Sequence, residues 1–516
     1  MTSFLFFLAL VANLLVTTSC EKKSTKEKPG AEKTLTLNFA IGGSLHPYDL
    51  SVVATRVALS KWIFEGLTRL NQAGEYEPAG AEKIEISPCG RVYTFTIRDH
   101  NYSNGDPVTA FDYERFWKQS LEPSSNCLKA FLFYPIKNAE NAKKGLVPTD
   151  EVGVKAIDEK TLVVELNHPF SPFLGFLSLP IFVPFKKDAQ ENPLFNGPFI
   201  PKEWKKENYL FLEKNRHFWD SSKVNLDAIK ILMLQDAISA LSLYDQGAID
   251  WIGLPFCYLP SEISQAKIAK KEFTKQAEIA CPFWIYLNTQ SFPLSSPAIR
   301  KALSCAIDRE EVAKYIFAGV TPLFDPIPDS PTQHSLSSEA QNARELFNQG
   351  LKELGLTEKT FPILKLSSCS DIDVYKKLSE HLQQRWQKVL GIRVELEVQE
   401  WNFFVSNINN GNYQLGGCFV SRDYNHPLAH LEQLASPSNE SLWDFPEYQT
   451  LISKLKRESD LQKQKDLIQK AVEILRDEVP VIWVVNKSQY GAHRKDLKGL
   501  CFDQKGQPDL RWAYFD

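Results

Sequence analysis

At 516 residues, 43% hydrophobic and 24% charged, the chain is too long for one ordinary core and too apolar for wholesale disorder. Its 59 Lys and Arg against 63 Asp and Glu leave a net charge of −4, which excludes a general electrostatic attraction to nucleic acid. The 30 prolines outnumber the 24 glycines, favouring many fixed turns between short elements.

Phe4 to Val16 is apolar apart from Asn13, short for a bilayer span and right for a secretory h-region. The Thr17-Thr18-Ser19-Cys20 run after it resembles the end of a bacterial lipoprotein signal, in which Cys20 is lipidated and becomes the mature N-terminus. No Lys or Arg precedes the apolar run, and Thr17 stands where that signal prefers Leu, so a plain cleaved signal is the alternative. Glu21 to Lys33 is a mixed-charge linker with nothing apolar to anchor it, as a surface tether requires. Cysteines 89, 127, 257, 281, 305, 369, 418 and 501 remain, with no CxxC pair and no zinc spacing.

Thr34 to Ala40 alternates Leu35, Leu37 and Phe39 and predicts a first strand, running into the Gly42-Gly43 turn. A short helix is expected over 57–67, strands over 82–86 and 91–99, a turn at Asn104-Gly105, a helix over 108–120 and a strand over 161–167. In 91–99, Tyr93, Phe95 and Ile97 share one face and Thr94 and Thr96 the other. Phe170 to Phe185 is apolar but broken by Pro172, Pro180 and Pro184, and reads as a buried connection. Two strands follow around Trp204, another over 229–234, and a helix over 237–246 stopping at Gly247.

From Ser296 the pattern changes to α/β. Ser296 caps, Pro297 takes the first helical position, and Ile299, Leu303, Ile307 and Val312 form the buried stripe. A strand over 362–367, a helix over 374–390 ending at Gly391, and a strand alternating Ile392, Val394, Leu396 and Val398 imply a parallel pair. Trp401 follows that strand and reads either as a pocket wall or as core. Helices are expected over 448–455 and 463–476, then a buried strand over 479–485 and an irregular tail. Between them, Gly416-Gly417 leads the apolar run at Cys418 to an abrupt end at Asp423-Tyr424-Asn425-His426-Pro427, as a strand turning out of a core into a cleft would.

Several runs are similar to the oligopeptide-binding family of extracytoplasmic solute-binding proteins that feed ABC importers. They are Phe64–Arg69 (FEGLTR), Tyr93–Arg98 (YTFTIR), Asn104–Asp112 (NGDPVTAFD), Gly153–Asp158 (GVKAID), Asn196–Phe199 (NGPF), Glu213–Asn215 before Phe218–Asp220, Gln246–Asp250 (QGAID), Arg300–Leu303 with Ala306–Arg309, and Asp423–Asn425 (DYN). No single run is diagnostic; their collinear order carries the resemblance.

The resemblance implies a mixed α+β and α/β fold, a periplasmic-binding-protein-like Venus flytrap of two lobes with an extra inserted small domain. On this chain that plan gives a signal over 1–20, a tether over 21–33, lobe I from 34–56, 185–285 and 490–516, an inserted domain over 57–184 and lobe II over 286–489. It implies capture of a short peptide as an added strand, because backbone donors and acceptors are common to all peptides. Asp423 would pair with the peptide ammonium, with Phe419, Ser421, Tyr424, Asn425 and Trp401 around it and Ser44, Leu45 and His46 supplying backbone contacts from the opposite loop.

Gly417 and Tyr375 stand where members that hold the peptide carboxylate carry basic residues, and Val420 where some carry Trp. Cys281 matches a cysteine that pairs, in relatives, with one at the position of Ser421; Cys418 lies three residues away, so the resemblance suggests a Cys281–Cys418 bridge.

No HExxH, GxSxG or phosphate loop is present, so no catalytic residue, cofactor or metal ligand is nominated. His426 and His430 have i, i+4 spacing, but Pro427 leaves His426 outside any helix that begins there. The expected protein is a monomer, lipid-anchored in the periplasm, whose partners are short peptides and an ABC permease with its ATPases. The alternatives are a binder of a nickel chelate or haem, and a secreted hydrolase.

Overall fold

The computed structural model describes residues 33–328, 340–422, 424, 426–436, 439–458, 460–503 and 505–516. Cys20, Asp423 and Asn425 therefore lie outside the described residues.

Strand Thr34–Asn38 pairs in parallel with Ala228–Leu232, and Tyr209–Lys214 and Phe199–Lys205 complete a four-stranded sheet by antiparallel pairing. Leu35 and Leu37 are buried as the alternation predicts, opposite Ile229 and Ile231. The Asn38 side chain closes the sheet's end. Its amide donates to the Leu234 carbonyl (3.2 Å) and its carbonyl accepts from the Leu234 N–H (2.9 Å).

A smaller antiparallel sheet follows, in the order Ala81–Ile86, Val92–Ile97, Thr161–Glu165, Val154–Ala156. Tyr93, Phe95 and Ile97 are buried and the threonines between them half-buried, the expected split of faces. Helix Ala110–Ser120 starts two residues later than the pattern suggests, because Asp112 accepts from the Thr109 N–H (3.0 Å) and fixes the first turn there. Its Trp117 indole donates to the Phe182 carbonyl (3.1 Å), tying it to the apolar connection. That connection is buried and broken into the short helix Phe173–Phe176 and the 3-10 turn Pro180–Phe182. Among the described residues no helix is long and apolar enough to cross a membrane.

The largest sheet has seven strands, in the order Trp251–Gly253, Val481–His493, Thr274–Leu287, Leu415–Phe419, Leu364–Cys369, Val394–Gln399, with Val320–Pro322 pairing on Val481–His493. Sequence reading did not anticipate Thr274–Leu287. Its alternation is broken where Pro282 lacks an N–H, and the register with Val481–His493 shifts at Lys275/Ala277, at Glu278/Pro282 and again at Phe283/Trp284. Val481–His493 also outruns its expected end, continuing through Asn486, Ser488 and Gln489, polar residues buried in the ladder. The lobe boundaries expected at 285/286 and 489/490 fall inside these two strands.

The parallel pair Leu364–Cys369 and Val394–Gln399 forms as expected around helix Asp373–Leu390, which ends at Gly391 in the left-handed region (φ 76°). Leu378, Leu382 and Trp386 point inward, and the Trp386 indole donates to the Leu303 carbonyl (2.9 Å). Val398, the last residue of the alternating set, is exposed on the edge strand of the sheet, whereas Val394 is buried.

The stripe from Ile299 to Val312 is buried but carried by two helices. Pro297–Cys305 is capped by Ser296 and Arg309–Tyr315 by Asp308. Arg309 lies wholly inside and donates to neutral acceptors: the Trp483 carbonyl (2.9 Å), the Ser304 carbonyl (3.0 Å), the Ser304 hydroxyl (2.9 Å) and the Ile307 carbonyl (3.5 Å). Burial without a nearby carboxylate lowers its pKa to about 10.

Candidate functional site

Strand Leu415–Phe419 lies between two neighbours, antiparallel to Thr274–Leu287 and parallel to Leu364–Cys369. Both of its glycines have close neighbours, and at Gly417 the neighbour is backbone that cannot give way. A Cβ at Gly416 would fall 2.7 Å from the Ile408 side chain of helix Trp401–Asn409, and one at Gly417 would fall 2.6 Å from the Trp284 carbonyl oxygen. A basic side chain at Gly417 is therefore incompatible with this packing.

The strand's last links are the Phe419 N–H to the Tyr375 hydroxyl (3.3 Å) and the Val420 N–H to the Pro282 carbonyl (2.8 Å). Beyond them Ser421 is exposed, Arg422 buried, and Tyr424 buried against Phe176 (centroids 4.8 Å) and Phe170 (6.2 Å). The Tyr424 hydroxyl donates to Glu432 (2.8 Å). Two cavities meet this segment.

The first is lined by Arg422 and Tyr424 and by Tyr76, Glu65, Arg69 and Arg511. Its floor is an ion network. Arg511 pairs with Glu65 and with Asp509 (3.0 Å), while Arg69 pairs with Glu77 (2.7 Å) and Asp220 (3.0 Å). The Trp219 indole donates to Glu65 (2.7 Å). Burial works against the Arg511 charge, but Asp509 and Glu65 outweigh it and raise its pKa. Burial and Asp503 push the Tyr76 phenol up to about 12, against the pull of Arg422.

The second and larger cavity is lined by Phe419, Tyr375, Tyr258, Lys487 and the segment Asp371–Val374. Phe419 packs edge-on to Phe283 (5.2 Å) and Phe317 (5.4 Å).

Ser44, Leu45, His46 and Trp401 are not in the lining of either cavity. Ser44 is exposed and bound to Asp49, its hydroxyl 2.5 Å and its N–H 3.0 Å from that carboxylate. Leu45 is buried in the core. His46 caps the short helix Pro47–Leu50 through its ring, which packs on Tyr48 and Phe185 (4.4 Å each). Trp401 opens helix Trp401–Asn409, its N–H donating to Asp371 (2.9 Å) and its ring 6.4 Å from Tyr375. All eight described cysteines are free, so Cys281 and Cys418 are not bonded to one another, contrary to the expectation. Burial, with Glu440 and Cys281 nearby, pushes the Cys418 thiol up to about 12.

Sequence reading missed Arg422, Tyr258 and Lys487. The only available signal was a lone cation in each of two otherwise uncharged runs, FVSR and VVNKSQY.

Pro427 does precede a helix, Leu428–Leu431, and His430 in it is fully buried. Burial and then the charge of Arg422 lower its pKa to about 3, against the opposing effect of the Val420 carbonyl. The unfolded chain takes up a proton near pH 6.5 that the folded chain refuses until about pH 3. This contribution to stability is therefore intact above pH 6.5 and is lost as pH falls from there toward 3. His430→Leu is expected to reduce the stability lost between pH 6.5 and 5 by about 2 kcal/mol, read by urea unfolding at both values. Parallel pH dependence in variant and parent would contradict the assignment.

Residues 75–441 match the pattern of the bacterial extracellular solute-binding proteins, family 5, middle region. The oligopeptide-binding protein OppA of Bacillus subtilis (strain 168) is 35% identical over 520 residues, covering 96% of this chain and 94% of that protein. The structure of a periplasmic oligopeptide-binding protein, OppAIV of Borrelia burgdorferi, superposes with a TM-score of 0.75 at 27% identity, covering 94% of this chain and 100% of that one. Listeria monocytogenes OppA, solved bound to peptide, superposes at 0.71 with 26% identity, covering 94% and 99%. With its middle region matched by the family pattern and nearly its whole length by a relative of similar size, the chain belongs to the bacterial extracellular solute-binding proteins of family 5, a two-lobed α/β fold.

Proposed function

We propose that this chain is an extracytoplasmic receptor that captures short peptides between its lobes by backbone strand pairing and delivers them to an ABC importer. The observation that carries the reading is the exit of the chain after Phe419, where a strand leaves its ladder between two cavities. Main chain that has left its sheet can pair with a peptide of any sequence, while side chains enter wet pockets. The name of the Bacillus relative and the peptide held by the Listeria protein point the same way.

In this reading Asp423 neutralises the peptide ammonium, and Phe419, Ser421, Tyr424 and Asn425 flank the ligand. Lobe I is 34–56, 185–285 and 490–516, the inserted domain 57–184 and lobe II 286–489. The strands Thr274–Leu287 and Val481–His493, which cross between the lobes, are the connections about which they close. Cys20 carries a lipid anchor, the charged linker after it is the tether, and the receptor works as a monomer. No chemistry occurs in the chain; partner ATPases supply the energy of transport.

Native mass spectrometry of freshly purified protein tests this directly. The expected result is bound mass that resolves into intact peptides, unchanged after incubation. A bound haem or metal chelate, or the appearance of cleavage products, overturns it.

A further inference from the structure

Lys487 stands on Val481–His493 with its ammonium facing the larger cavity. The charge sits over two rings, 4.9 Å from the centre of Tyr258 and 5.6 Å from that of Phe419, and donates to the Tyr258 hydroxyl at 3.3 Å. Among the described residues no carboxylate lies within ion-pair distance of it. The acids around the same cavity are already engaged. Glu262 and Asp373 share Lys377 (2.9 and 2.7 Å), and Asp371 accepts from the Trp401 N–H (2.9 Å) and the Ser370 hydroxyl (2.8 Å). An ammonium held against aromatic faces is partly stripped of water, so an incoming anion gains more from it than from an exposed lysine. Its field also reaches Cys281 behind it, lowering a thiol pKa that burial raises.

From this placement we infer that Lys487 is a specificity residue that pairs with a carboxylate of the bound ligand, seated between Tyr258 and Phe419. The inference rests on the peptide-receptor reading and deepens it. Neither Gly417 nor Tyr375 supplies a charge for the peptide's acidic end, whereas Lys487 presents one in a cavity that Phe419 also lines. The carboxylate comes from either of two sources, the peptide C-terminus or an Asp or Glu side chain, and the probes separate them.

Calorimetry on the full mature chain uses alanine peptides of three to five residues as free acids, the same peptides as C-terminal amides, and amides with one internal Glu. If the terminus is read, wild type binds the free acid at least tenfold more tightly than the alanine amide. If a side chain is read, it prefers the Glu-bearing amide by the same margin. In either case Lys487→Met abolishes the preference, and Lys487→Arg restores part of it. The inference is overturned if wild type shows neither preference, or if a preference survives intact in Lys487→Met. If no alanine peptide in any form binds wild type, the receptor reading itself fails and this inference falls with it, an outcome told apart by the silence of the unmodified protein.

Discussion

Asp423→Asn is expected to weaken peptide binding by about 3 kcal/mol or more, over a hundredfold. Desolvation sets the size of the effect. A peptide ammonium brought into a closed cleft loses its water, and the loss is tolerable only beside an opposite charge. Asparagine keeps the size and one acceptor but not the charge, so most of the penalty returns. In sequence the acid stands between Arg422 and Tyr424, both of which line the first cavity. The measurement is calorimetric, comparing a tripeptide with its N-acetylated form. Wild type should discriminate strongly between them and Asp423→Asn should not. Equal affinity of variant and parent for the free-amine peptide would remove Asp423 from the site.

Glu65→Ala is expected to destabilise the fold by about 3 kcal/mol. Glu65 is 1% exposed and holds Arg511, itself only 5% exposed, while accepting from the Trp219 indole. Removing the acid leaves that indole donor unpaired and Arg511 with Asp509 alone. The pair also joins distant parts of the chain, since the Trp62 indole donates to the Pro508 carbonyl (3.0 Å) a short way along the same seam. Urea unfolding measures the loss. The comparison is Glu77→Ala, whose side chain is 35% exposed and whose removal should change stability by under about 1 kcal/mol. Equal effects of the two substitutions would show that burial does not set the strength of this network.

Local periodicity carried much of the fold into view before any coordinates. Leu35 and Leu37, the Tyr93–Ile97 face, the Ser296-Pro297 start and the run from Leu378 to Trp386 behave in the structure as their spacing demands. In each case one element buries one face, and a period of 2 or 3.6 records that. Thr274–Leu287 escaped because a proline and three register shifts erase the period, and the polar half of Val481–His493 because its buried amides and hydroxyls imitate a surface loop. Val398 shows the converse: perfect alternation on a strand that happens to be the sheet edge.

Residue order determined the helices and strands whose burial is one-sided and the family, and the resemblance to that family supplied the nomination of Asp423. What only tertiary structure decided was which side chains share a cavity. Lys487, Tyr258 and Phe419 are separated by long stretches of chain and converge because Val481–His493 and Leu415–Phe419 flank the same central strand. Likewise, Glu65 meets Arg511, and Gly417 is barred from bearing a side chain by the Trp284 carbonyl. The physical reason is that periodicity reports how far a side chain is turned from water, whereas a binding site depends on which distant segments the sheet order brings side by side, and no local pattern encodes that.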